Sequence, residues 1–68
     1  MSQKDVLNIL QKLGGNATIS QIIEYEKKNG INNSLTDPVK VRDRLFGLLR
    51  RDCVNQIDDN TWEYVKDL

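Results

Sequence analysis

The run PVKVRDRLFGLLRRDCV, residues 38–54, decides the fold. Val41, Leu45, Leu48 and Leu49 recur at helical spacing, with Val39 and Phe46 on the flank, so the stretch predicts an amphipathic helix reaching about Asp52. Pro38 suits the first turn of that helix, where its missing N–H is no loss, with Thr36 or Asp37 as the cap before it. Past Asp52 the period changes. Residues 53–57 and 61–65 are rich in β-branched and aromatic side chains, and Asp58-Asp59-Asn60 between them is turn chemistry. The reading is a helix that runs into a β-hairpin.

Two further helices lie upstream. Val6, Ile9, Leu10 and Leu13 form one apolar stripe, which predicts a helix over about residues 3–13. Ser2 with Asp5 reads as its capping box, and Gly14-Gly15 ends it by accepting left-handed backbone without steric cost. Asn16-Ala17 is a bridge long enough for a very short strand. Thr18 and Gln21 then make a second capping box, T-x-x-Q, before a narrow face of Ile19, Ile22, Ile23 and Glu26 with Tyr25 beside it. That helix ends at Asn29-Gly30, with Lys27 and Lys28 in its last turn and Ile31 placed for a closing apolar contact. Residues 32–37 are a turn-rich connection with Leu35 as its anchor.

Size and composition exclude most functions. Sixty-eight residues make one domain, 1–68, that buries only about 60% of the surface of its unfolded chain. Little is left to wall off a deep catalytic pocket. The chain has no histidine and one cysteine, so it lacks the commonest general base, an internal disulfide and the usual zinc ligands. Ser20 and Ser34 have no base, and Cys53 reads as a small half-buried hydrophobe. Asp58-Asp59 lacks the ligand spacing of a calcium loop. The expectation is a non-enzyme with no cofactor and no metal. Apolar runs such as Ile22-Ile23 and Leu48-Leu49 are far below the roughly 18 residues of a membrane span, so an intracellular, reducing location is expected, in cytoplasm, nucleoid or nucleus.

Ten basic and ten acidic residues give zero net charge, which argues at first against nucleic acid. The average conceals a division. Residues 1–33 carry +1, residues 34–52 carry +2 and residues 53–68 carry −3. Lys40, Arg42, Arg44, Arg50 and Arg51, half of all the basic residues, belong to the third helix. Lys40, Arg44, Gly47 and Arg51 stand at i, i+4, i+7 and i+11, a straight line on a helix of about 100° per residue. Such a line fits the DNA major groove; it is equally the ordinary solvated face of a surface helix, with Lys40 pairing to Asp43. Gly47 costs about 1 kcal/mol relative to Ala within a helix. It serves either a close approach to a phosphate or partner, or a tight crossing with another helix.

The order helix, bridge, helix, helix, hairpin resembles the winged helix-turn-helix superfamily over nearly the whole chain. The stretch Val41-x-x-x-Leu45-x-x-Leu48-x-x-x-Asp52-Cys53-Val54 is similar to the end of a recognition helix entering the first wing strand. Thr18-Ile19-Ser20-Gln21-Ile22-Ile23 resembles the capped start of the second helix, and Trp62-Glu63-Tyr64-Val65 the returning wing strand, whose aromatics pack on helix one. Two features depart from the pattern: Asp52 stands where the family usually has Gly, and the connection from Gly30 to Asp37 is longer than a minimal turn. The resemblance implies an α+β fold of three helices followed by a two-stranded hairpin wing. It implies double-stranded DNA as partner, bound through Thr36, Lys40, Arg42, Asp43, Arg44, Gly47, Arg50 and Arg51, with the helix-three amides and Thr36 holding one phosphate and Gln21 and Lys28 touching the backbone. A small transcriptional regulator, or the DNA-binding module of a larger protein, is the function expected.

The acidic hairpin tip keeps a second reading open, because carboxylates are repelled by phosphates. That reading is a protein-interaction winged helix, an adaptor or appended domain of a replication or transcription machine, with a protein partner on the hairpin. The tip sequence is also simply good turn chemistry. Glu24 and Glu26 of helix two separate the readings: if they neutralise the basic line, DNA binding loses its basis.

Overall fold

The computed structural model describes residues 3–29 and 37–68. Within them the chain forms α1 (Gln3–Lys12), β1 (Asn16–Thr18), α2 (Ile19–Asn29), α3 (Pro38–Arg50), β2 (Val54–Gln56) and β3 (Thr61–Tyr64). The expectations for Ser2, Gly30, Ile31, Leu35 and Thr36 lie outside the described residues.

Local chemistry sets the ends of the helices. At the start of α2, the Thr18 N–H donates to Gln21 Oε1 at 2.8 Å and the Gln21 N–H to Thr18 Oγ1 at 3.2 Å, the reciprocal box read from T-x-x-Q. Asp37, rather than Thr36, caps α3: its carboxylate accepts from the Val39 N–H at 3.0 Å, and Pro38 opens the first turn. α1 and α3 end in the same way. Gly15 N–H reaches Leu10 O and Gly14 N–H reaches Gln11 O; Cys53 N–H reaches Leu48 O and Asp52 N–H reaches Leu49 O. These are paired six-to-one and five-to-two closures around a left-handed residue. In α3 that residue is Asp52, at φ 61°, so aspartate does occupy the position where the family pattern has glycine.

The hairpin of β2 and β3 forms as expected, but the sheet has three strands rather than two. Its order is β1-β3-β2, all antiparallel, with Ala17 opposite Trp62, Trp62 opposite Gln56, and Val54 opposite Tyr64. Gly14 and Gly15, both at φ 94°, turn the chain back so that β1 lies along the free edge of β3. The Tyr64 N–H then donates to Gly15 O at 2.7 Å, and the Ile19 N–H to Asn60 O at 3.1 Å. β3 is therefore central, with Trp62 in the middle of the sheet.

The helices cover one face of this sheet. Val6, Leu7, Ile9 and Leu10 of α1, Ile19, Ile22 and Ile23 of α2, and Val41, Leu45 and Leu48 of α3 close over Ala17, Cys53, Val54 and Trp62. Each fully buried aliphatic side chain of this kind contributes about 1.5–3 kcal/mol. Trp62 is fully buried, and Phe46 of α3 meets it edge-on, ring centres 5.2 Å apart and planes at 90°. Cys53 is a buried free thiol with only long contacts, 3.7 Å each, to the carbonyls of Arg51 and Asp67. No helix of the described residues is long and apolar enough to cross a membrane.

Candidate nucleic-acid interface

The buried stripe of α3, Val41, Leu45 and Leu48, dictates what the helix shows outward. At about 100° per residue, the side opposite that stripe carries Val39, Asp43 and Arg50. All three are exposed. Lys40 and Arg51, also exposed, flank them on one side; Arg42 lies on the other. The outward face therefore mixes cations with one carboxylate and one aliphatic side chain.

The predicted basic line survives only at its ends. Lys40 and Arg51 are open to solvent, but Arg44 is half-buried and engaged, and Gly47 faces α1. A Cβ added to Gly47 would run into the side-chain amide of Gln3, in the first turn of α1. Of the two roles open to Gly47, contact with another helix is the one observed. The obstacle is the end of a flexible side chain, not backbone. Gly47→Ala is accordingly expected to displace Gln3 and raise stability by up to about 1 kcal/mol through helix propensity, read as a higher urea midpoint. A large loss would mean that the two helices cannot part at this point.

Arg42 is a strut. Its Nη2 donates to the Asp59 carbonyl at 3.0 Å, tying the hairpin turn to α3. Within that turn, Asp58 Oδ1 accepts from the backbone N–H groups of Asn60 and Thr61, both at 2.9 Å. The Asn60 N–H first, then the Thr61 side chain and N–H, hold the Asp58 carboxyl below its ordinary pKa. Asp58 is thus committed to the turn, and the turn is drawn back against α2 and α3.

The start of α3, expected to cradle a phosphate, is partly taken up by its own cap. Thr36 lies outside the described residues, Pro38 has no N–H, and the Val39 N–H is already taken by the Asp37 carboxylate. A carboxylate at that position also repels the anion it was expected to admit. Gln21 commits its side-chain oxygen to the capping box, where it accepts from the Thr18 N–H.

Among the described residues, neither Glu24 nor Glu26 of α2 makes an ion pair with a basic residue of α3. Glu24 is exposed and shares a shallow depression with Lys27 and Lys28 of its own helix. Glu26 is buried, only 1% exposed, and neither carboxylate oxygen has a hydrogen-bond partner. Its place at i+7 from Ile19, on the apolar face, was the signal for that burial.

One more feature adjoins the face. Ile19 and Ile23 of α2, Pro38, Val39 and Arg42 of α3, and Asn60 of the turn border a groove of about 230 Å³. Among the described residues no cluster of three or more His, Cys, Asp or Glu side chains is placed to hold a metal. Comparison with protein-family models, with curated proteins and with solved structures finds no match, so what the domain does rests on this arrangement of side chains alone.

Proposed function

We propose that this is a winged-helix domain that binds double-stranded DNA by laying the outward face of α3 in the major groove. The observation that carries the reading is the exposed set Lys40, Arg50 and Arg51. Among the described residues none of the three side chains is used in an ion pair or a hydrogen bond, so all are available to phosphates. The order α1-β1-α2-α3-β2-β3, with the central strand last in sequence, is compatible with the winged-helix resemblance. The withdrawn turn, pinned by Arg42, keeps Asp58 and Asp59 with the hairpin and leaves α3 as the contacting element. A small transcriptional regulator and a DNA-binding module of a larger protein both use such a face.

Anisotropy titration with duplex DNA at about 50 and 200 mM salt tests this. Binding is expected at the lower salt and should weaken at the higher. Arg51→Ala should weaken it severalfold and lower the slope of log affinity against log salt by about 1, the signature of one lost phosphate contact. Absence of binding at low salt, or binding indifferent to salt, overturns the reading.

The groove beside Val39 favours a second reading, a protein-interaction domain. A partner helix or peptide seated between α2 and α3 would use Ile19, Ile23 and Val39 rather than the cations. Amide-shift mapping with duplex DNA separates the two, since this second reading leaves the signals of residues 39–51 unmoved.

A further inference from the structure

We propose that α3 reads DNA sequence through Val39 and Asp43, Val39 against a thymine methyl group and Asp43 accepting from the exocyclic amine of cytosine. The inference rests on the DNA reading above and deepens it.

Val39, Asp43 and Arg50 stand at i, i+4 and i+11, within about 40° of one another around the helix. They occupy the line opposite Val41, Leu45 and Leu48, each of which is 0% exposed. A helix seated in the major groove turns the line opposite its core toward the groove floor and its flanks toward the phosphate walls. Lys40 and Arg51 are then wall residues, whereas Val39 and Asp43 face base edges.

Their chemistry limits what each can meet there. Val39 is 65% exposed, a β-branched side chain at the rim of the groove between α2 and α3. It has nothing to donate or accept, and the one apolar group on a major-groove base edge is the thymine 5-methyl. Asp43 is exposed, and among the described residues it makes no ion pair with Lys40 or any other cation. Against a phosphate it would be repelled. A carboxylate only accepts, so it needs a donor on the groove floor. Cytosine offers its amine there; adenine's amine sits beside the N7 acceptor, which opposes a carboxylate. Four residues of helix separate the pair by about 6 Å, so the thymine and the cytosine should lie within about two base steps of each other.

The test is selection of bound duplexes from a random library by the full chain at low salt. Thymine is then replaced by uracil in the selected duplex, and the selection is repeated with Asp43→Asn. Enriched sites should share a thymine and a cytosine at that separation. Loss of the thymine methyl should weaken the wild type about fourfold, the worth of one buried methyl-sized group, and leave Val39→Ala unchanged. Asp43→Asn should move the preferred base from cytosine to adenine, because an amide both donates to N7 and accepts from the amine. Both positions are on the surface, and far-UV circular dichroism verifies that the variants fold. Bound duplexes without the shared thymine and cytosine, equal binding of the uracil duplex, or an unchanged preference in Asp43→Asn overturns this assignment while DNA binding stands. Recovery of no duplex overturns DNA binding itself, and the assignment with it.

Discussion

Trp62→Ala is expected to cost about 3–5 kcal/mol, the loss typical of a large aromatic removed from a core. A domain of this length has roughly 3–10 kcal/mol of stability in total, so the loss takes from about a third to all of it. The reason is topological as well as volumetric. Trp62 is fully buried on the central strand, opposite Ala17 on one side and Gln56 on the other, with Phe46 edge-on against it. Its removal opens a void beneath all three strands and strips Phe46 of its partner. Far-UV circular dichroism during urea titration checks this, and a midpoint close to that of wild type would refute it. Trp62→Phe should be much milder. The indole Nε1–H is buried without an acceptor, so phenylalanine gives up area and also removes an unsatisfied donor.

Much of this architecture is readable in the sequence because it is local. The Thr18–Gln21 box, the Gly14-Gly15 stop and the Pro38 start are each decided within four residues, by bonds whose geometry the residue types dictate. The left-handed Asp52 is local too: once α3 must end there, the residue after the cap takes left-handed backbone, and aspartate bears that better than most. β1 is only a suggestion, since three residues show no period, and its pairing with β3 depends on contacts more than forty positions away. Gly47 illustrates the other limit. Spacing places it on a line with Lys40, Arg44 and Arg51, but which side of that line meets α1 depends on how the helices cross. Periodicity alone does not contain that angle.

The same limit explains the redistribution of the candidate site. Counting charges finds α3 as the basic element, and Lys40, Arg50 and Arg51 remain exposed on it. Counting does not reveal that Arg42 is used to hold the hairpin turn. Nor does it show that Asp37 caps the helix terminus expected to receive a phosphate. Zero net charge is thus an average over a basic helix, an acidic hairpin folded back on itself and one carboxylate, Glu26, that has left the surface altogether.

Glu26→Met is expected to stabilise the domain at pH 7 by about 1–3 kcal/mol, the cost of a buried polar group without a partner. Methionine is unbranched and of similar length, and replacing a buried charge with a well-fitting apolar group is commonly stabilising. Burial raises the pKa of Glu26 above its ordinary 4.5; the positive amino terminus opposes that rise and the Asp5 carboxylate adds to it. The sign of the pH dependence follows. Between the unfolded pKa and the raised folded one, the native state holds a proton that the unfolded state has released, so stability falls as pH rises through that window. Acidifying wild type from neutrality toward pH 4.5 should therefore strengthen it, and Glu26→Met should lack that gain. Asp58 acts oppositely and lower, because its pKa is depressed from 3.8 by the turn's N–H groups and its contribution is lost only as pH falls through that depressed value. Urea midpoints followed by Trp62 fluorescence at pH 7, 6 and 5 separate the two carboxylates. A wild type that weakens from pH 7 to 5, or a Glu26→Met variant no more stable at pH 7, would show that the buried carboxylate finds a compensating partner in solution.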